Sequence, residues 1–336
     1  MPERRLRIVL RQLLLAAGAV VLAAPPACDD PCPERPWAAP ESLALDGSAT
    51  IRGVIRDQTL AYNVGVGDGG VIVELSGRRR VLRPVKADLR SVAYVGNKTV
   101  AVGTNGTMVA LASGTDDIAV IDPGTTADLA QIVTIERRSG PESYVVGDGV
   151  MLRYDMSADA WSEVPAPKGG WGELRAMAGF EGGLVVVGRG GLAWALDDSQ
   201  GEGWRREDTG TEVDLTAIST RGLIAGGAGG VLVQRTGPTR WRRVDGGTIA
   251  GDVVDVTGGV VLTAQGRIYA ESVDGTGWTL VAEVGAGPHA LIVEDGGGDP
   301  YDPEVPEVKL IAALGEPGTH RKIVNRCTYN QAQGCT

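Results

Sequence analysis

The chain has 336 residues, enough for one large domain or two ordinary ones. Its 50 glycines follow no Gly-X-Y period, which excludes a collagen-like fibre; a single Phe leaves Val, Leu, Ile and Ala to build the core, which suits strands. A net charge of −10 with only short basic runs, Arg78-Arg79-Arg80 and Arg242-Arg243, argues against a nucleic-acid partner.

Residues 1–27 read as a signal peptide. Arg4, Arg5 and Arg7 form a basic start, Leu13 to Ala24 is an apolar run of about twelve residues, and small residues and prolines follow up to Ala27. The run is shorter than the roughly twenty apolar residues that a membrane span needs. An extracytoplasmic setting is therefore expected: periplasm, cell surface or secreted. Cys28 stands where a bacterial lipoprotein carries its acylated cysteine, although Pro25 replaces the aliphatic residue of that signal. Membrane attachment is expected only through such an anchor. The alternative is a disulfide to Cys28, which the even count of four cysteines favours. Residues 28–36 then form a linker, 37–326 the folded body and 327–336 a tail.

The body repeats. An aliphatic-x-x-aliphatic pattern occurs at Ile51-Val54, Leu89-Val92, Leu129-Ile132, Leu174-Met177, Leu215-Ile218, Val253-Val256 and, more loosely, Ala290-Val293, in steps of about 37 to 45 residues. That is the period of propeller blades of four strands each. A glycine-rich turn between apolar runs follows each pattern. Examples are Gly67-Asp68-Gly69-Gly70, Gly103-Thr104-Asn105-Gly106 and Gly188-Arg189-Gly190-Gly191, with the last at Gly315 to Gly318. Such turns need positive φ and mark hairpins. The flanking strands, such as Val100-Ala101-Val102 and Met108-Val109-Ala110, are apolar at consecutive positions, as strands buried on both faces are. Trp161, Trp204, Trp241 and Trp278 each precede the next pattern by about eleven to thirteen residues, where a large ring fills the wedge between blades; Val81 and Ile118 take that place earlier. The expected fold is all-β, a seven-bladed β-propeller.

The segments from Ala101 to Leu111 and from Val186 to Trp204 resemble the repeat of photosystem II assembly-factor propellers. Ser272 to Trp278 resembles a degenerate Asp-box (BNR) of sialidase-like proteins. The likeness runs from about residue 45 to 325 as a repeat grammar. It implies a propeller and a lean toward protein partners.

Other motifs are set aside on context. Gly65 to Gly70 formally matches G-x-G-x-x-G, but a dinucleotide site needs that turn to open a helix, and here an apolar strand follows. The two histidines, His289 and His320, have no second His or Cys at metal-ligand spacing. In the insertion Glu294 to Glu307, Asp295, Asp299, Asp302 and Glu304 can offer oxygens to Ca²⁺, but the spacing fits no EF-hand and a Pro/Gly/Asp stretch also reads as a solvated loop. No cofactor is otherwise expected. Asn97 and Asn105 head glycosylation acceptor triplets that matter only in a eukaryotic host. The expected function is a non-enzymatic extracytoplasmic binding or scaffold propeller for a protein or envelope component. The rival is a sialidase- or lyase-like enzyme in the central channel, which calls for three Arg and a Tyr–Glu pair converging there.

The last repeat has three strands before Cys327, and the N-terminus has a spare one: Trp37 precedes Ile51 by fourteen residues, like the Trp of other repeats. Trp37 to about Asp46 is therefore expected as the missing outer strand, antiparallel to the third strand of the last repeat. A Cys32–Cys327 disulfide would clasp that join, with Cys28 and Cys335 further out on the same two arms. Local pairs, Cys28–Cys32 and Cys327–Cys335, are the alternative.

Overall fold

The computed structural model describes residues 41–42, 50–55, 64–74, 81–112, 117–137, 140–180, 182–197, 203–245, 247–257, 259–272, 277–296, 308–317 and 320–326. Among these, the strands form seven four-stranded antiparallel sheets. The first strands of the sheets are Ile51–Val54, Leu89–Val95, Leu129–Arg137, Leu174–Phe180, Leu215–Ile218, Val253–Thr257 and Pro288–Gly296. Each repeat pattern thus opens a sheet. Every first strand packs beside the first strand of the next sheet, and that of Pro288–Gly296 packs beside Ile51–Val54. These strands surround a common axis, and the remaining strands step outward from it, which is the all-β propeller architecture.

The consecutive apolar positions follow from this geometry. In Lys98–Gly103, Val100 and Val102 enter the cluster shared with the third sheet, while Ala101 between them enters the cluster shared with the first. A strand with a hydrophobic neighbour on each face has no polar side to show. The four tryptophans lie in the expected wedges. Trp161, Trp204, Trp241 and Trp278 each pack into the cluster between their own sheet and the preceding one. Ile118 does the same with less bulk, whereas Val81 is 38% exposed and fills nothing.

The glycine turn sets the spacing around the axis. In the second sheet, Gly103 ends one strand and a single 3-10 turn, Thr104–Gly106, leads to the next, with Asn105 at φ 55° and Gly106 at φ 65°. Gly103 itself is extended, at φ −168°. What it requires is room: a Cβ there would stand 1.9 Å from the carbonyl oxygen of Asp88, the residue before the first strand. The same carbonyl accepts the Thr104 N–H at 2.9 Å. Gly67, Gly147, Gly188, Gly227 and Gly315 make the same approach at 1.7–2.1 Å; the sixth sheet has Thr263 at that place. The formal G-x-G-x-x-G at Gly65 to Gly70 is one of these hairpins, between strands Val64–Gly67 and Val71–Glu74.

A second device joins neighbouring sheets. The carboxylate of Asp88 accepts the Gly69 N–H at 2.8 Å, so the residue before one sheet caps the turn of the sheet before it. Asp128, Asp214 and Asp252 cap Asn105, Gly190 and Gly229 in the same way at 2.8–2.9 Å. These turn N–H groups have no partner in the ladders, and the carboxylates supply one across the junction.

The seventh sheet takes its fourth strand from the other end of the chain. Glu41 lies antiparallel to Lys322 and Ser42 to Arg321. The remainder of Trp37 to Asp46 lies outside the described residues, as do Cys28, Cys32, Cys327, Cys335 and residues 1–27. The insertion begins later than the repeat pattern implied. Strand Pro288–Gly296 continues through Glu294 and Asp295, which pair with Leu310 and Lys309, because the antiparallel ladder simply extends. Asp295 therefore belongs to a strand; Asp299, Asp302 and Glu304 fall outside the described residues.

The close approach makes a sharp prediction. Gly103→Ala should destabilise the protein by about 1–3 kcal/mol, the usual cost of overpacking. Gly237→Ala, where a Cβ meets nothing within 4 Å, should stay within about 0.5 kcal/mol of wild type. Urea unfolding of both variants checks this, and equal losses would contradict the steric account.

Candidate functional site at the channel mouth

Each first strand loses register after its first residue. In the second sheet Leu89 pairs with Gly103 and Ser91 with Val102, so Arg90 is skipped. The same bulge occurs in all seven first strands. The skipped residues are Arg52, Arg90, Ala130, Arg175, Thr216, Val254 and His289. Bulges re-aim side chains and recur at sites of function. Here they place one residue per sheet at the mouth of the channel, on the face that carries the glycine turns.

Four of these residues are basic, and three are on consecutive sheets: His289 on the seventh, Arg52 on the first and Arg90 on the second. Arg52 grips Asp68 of its own turn through two nitrogens, Nε at 2.5 Å and Nη2 at 2.9 Å. That hydrogen bond and the charge behind it pull the Asp68 carboxyl below its usual range and raise the guanidinium. Arg90 crosses to the third sheet and meets Asp128 at 2.8 Å. Asp128 is also held low, first by the Asn105 backbone N–H and then by Arg90. Arg175 pairs with Glu173 and lies 3.6 Å from Asp148, while Glu173 also accepts from Arg189 at 3.0 Å. Burial is the main reason that the His289 imidazole titrates below its usual value, with the Arg52 charge adding to it. Across the mouth, the fifth and sixth sheets offer Thr216 and Val254 beside the capping carboxylates Asp214 and Asp252. The rim is thus cationic and ion-paired on one side and acidic on the other.

Three arginines do stand at equivalent places, as the rival enzyme reading asks, but each already has a carboxylate. The structure also places a Tyr–Glu pair elsewhere. Tyr144 donates to Glu142 at 2.7 Å. Tyr144 is 4% exposed, in the cluster between the third and fourth sheets, and Glu142 lies toward the end of strand Gly140–Gly147 remote from the turn. Burial and the Glu142 hydrogen bond push the phenol up to about 12. Such a group keeps its proton and is a poor nucleophile. Among the described residues no group of His, Cys, Asp and Glu could hold a metal ion.

Sequence reasoning missed two clusters. Trp171 and Trp194 lie off the repeat position, yet Trp171 meets Trp194 and Trp204 edge-on, at 5.8 and 5.3 Å between centroids. The second is ionic. Arg235 of the fifth sheet holds Glu207 of the fourth through two nitrogens, at 2.9 and 2.8 Å, and reaches Asp197 at 3.2 Å. Glu207 also accepts from Trp241 at 2.8 Å and the Thr239 N–H at 3.1 Å, and Arg235 stacks over Phe180, 4.8 Å from the ring centroid. The Arg235 side chain is 4% exposed and that of Glu207 is 0%. Its only outward signal in the sequence is an arginine in a strand that opens on buried Leu232 and Val233, Leu232–Gly237. Every group there is matched within the protein, so this cluster is a lock between sheets.

Comparison with solved structures agrees on the architecture. YCF48 from Cyanidioschyzon merolae superposes with a TM-score of 0.59 at 14% identity, covering 89% of this chain and all of that one. The WD40 repeats of RRP9 give 0.65 at 11% identity, over 86% of this chain and 99% of that one. The Saccharomyces cerevisiae protein Sqt1 gives 0.61 at 9%, over 87% and 98%. The chain is a β-propeller. At these identities the likeness extends to the fold alone. No protein-family model and no curated protein matches the sequence.

The buried lock titrates in a defined direction. Burial pushes the Glu207 carboxyl up, but the Arg235, Trp241 and Thr239 hydrogen bonds together outweigh it and hold the group below its ordinary value. A depressed carboxyl stabilises the fold above the unfolded value of about 4.3 and loses that contribution as pH falls through the folded value. Glu207→Ala should cost about 3 kcal/mol at neutral pH, because it leaves the buried guanidinium with Asp197 alone and takes the acceptor from Trp241 and the Thr239 N–H. The gap to wild type should narrow in acid, below about pH 4. Denaturant unfolding across pH checks this; a gap that widens toward acid would contradict it.

Proposed function

We propose that this chain is an exported, non-enzymatic binding propeller whose protein or envelope partner docks on the glycine-turn face. The observation that carries the reading is the rim itself. Arg52, Arg90 and Arg175 are 38%, 30% and 33% exposed while each is fixed by a carboxylate. Charges that are held in place and still wet cost little conformational entropy to engage, which is what a protein contact rewards. A sialidase-type site would instead need guanidinium groups open to a substrate carboxylate, with a tyrosine and acid beside them.

The wider reading takes the seven sheets as blades of one ring that the N-terminal strand closes. The pairing of Glu41 and Ser42 with Lys322 and Arg321 supports it, and so does the packing of Pro288–Gly296 against Ile51–Val54. A Cys32–Cys327 disulfide would hold the two ends of that strand pair together, and an exported protein permits it. In the chain-entropy model so long a loop stabilises by about 4–5 kcal/mol.

Two experiments test these statements. Mature protein captured on a resin from the native envelope should retain a defined partner, and the triple variant Arg52→Gln, Arg90→Gln, Arg175→Gln should retain about tenfold less or lower, a shift of about 1.4 kcal/mol. Undiminished capture would remove the mouth from consideration. For export and closure, mass spectrometry of the mature protein should show loss of roughly the first 24 to 27 residues. The same spectra decide a lipid on Cys28. Non-reducing peptide maps should show a disulfide joining the two termini. An intact Met1, or only local cysteine pairs, would refute the corresponding part.

A further inference from the structure

We propose that the outer edge of the second sheet, strand Ile118–Ile121, is a strand-addition site for an extended segment of another protein, apolar in alternation and basic at its ends. Among the described residues, Ile118–Ile121 is the outermost strand of its sheet and pairs on one side only, with Met108–Ala112. The Ala112 N–H donates to the Asp117 carbonyl at 3.2 Å. That makes Ala112 and Asp117 a hydrogen-bonded pair, and such pairs alternate along an antiparallel ladder. Ile118 and Val120, opposite Leu111 and Val109, therefore turn their N–H and C=O groups outward. Those are the groups an added strand would pair with.

The side chains single out the same strand. Natural edges are usually blunted by charge or by shortness. The outer strand Arg205–Asp208 is wholly charged, Arg240–Arg243 carries three arginines, and Ala160–Glu163 and Trp278–Glu283 each end in a glutamate. Val81–Leu82 and Glu41–Ser42 are two residues long. Ile118–Ile121 reads Ile-Ala-Val-Ile with no polar side chain, and Val120 is 67% exposed. Ile118 and Ile121 are anchored in the clusters on either side, so the strand is held rigid for a partner.

Charge decides the occupant. Asp117 precedes the strand and Asp122 follows it. A second copy laid antiparallel would set Asp117 against Asp122 at both ends, between two molecules of net charge −10. The acidic ends thus act as gatekeepers against self-pairing. The same ends attract lysine or arginine flanking an apolar strand.

The test uses the mature full-length protein and a fluorescein-labelled peptide, Lys-Lys-Val-Thr-Val-Thr-Lys-Lys, with its glutamate-flanked counterpart as control. The basic peptide should bind saturably, about tenfold or more tighter than the acidic one, and weaken with salt. Val120→Pro removes an outward N–H without touching the ladder, as proline on an edge permits. It should weaken binding about tenfold or more with the thermal midpoint kept. Val120→Lys, which puts a like charge on the edge, should do the same. The triple arginine variant should bind the peptide like wild type, which separates this edge from the channel mouth. No saturable binding, binding unchanged by both Val120 variants, equal binding of the acidic peptide, or a dimer that Val120→Lys dissolves would each overturn the proposal.

Discussion

The backbone approach at the glycine turns is the constraint from which the rest of the structure follows. In six of the seven sheets the end of the second strand comes so close to the residue before the first strand that a Cβ has no room; in the sixth, Thr263 takes that place. At Gly103 the carbonyl of Asp88 occupies the space that a Cβ would need, and the same oxygen then accepts the next turn N–H. Beside that approach the first strand loses simple register with the second, in the sixth sheet with Thr263 as in the six with glycine. It bulges by one residue, and the skipped residue is delivered to the channel mouth. The position of Arg52, Arg90, Arg175 and His289 thus comes from one bulge per first strand, repeated around the axis.

The contacts between sheets fall into layers. Near the outside, tryptophans fill wedges that widen with radius. Between the fourth and fifth sheets the lock of Arg235 and Glu207 replaces part of that apolar packing; it stabilises little by itself, but breaking it is costly. On the turn face, capping carboxylates join the first sheet to the second, the second to the third, the fourth to the fifth and the fifth to the sixth. Nearest the axis, side chains bridge first strands directly. Ser91 meets Ile132, Gln131 accepts the Met177 N–H and Asp255 accepts the Leu291 N–H. These bridges satisfy N–H groups just beyond the bulges, where no ladder partner exists.

Much of this could be read from the sequence, for a physical reason. Period, glycine turns and consecutive apolar runs are each dictated by local backbone geometry, so they recur at fixed spacing and can be counted. The tryptophans before the next repeat belong to the same class. Trp171 and Trp194 did not, because they answer to a local gap between the third and fourth sheets and not to the repeat. The Arg235 lock was equally hidden, since its members come from three strands and no spacing links them. The mouth residues lay in plain view as the second letter of the first six repeat patterns, and as the residue before the seventh. What concealed them is that a bulge leaves no mark in the residue types: the skipped position is Arg, Ala, Thr, Val or His in different sheets.

On the proposed reading, the charged mouth, and not the buried Tyr144 region or the outer sheet faces, is the surface that meets the principal partner. Hydrogen exchange read by mass spectrometry, on the mature protein alone and then saturated with the captured envelope partner, tests that most directly. Protection should appear in the peptides spanning residues 68–70, 88–90, 173–175 and 287–289, which come together only at the mouth. Protection confined to other peptides, with these four exchanging as in the free protein, would contradict it.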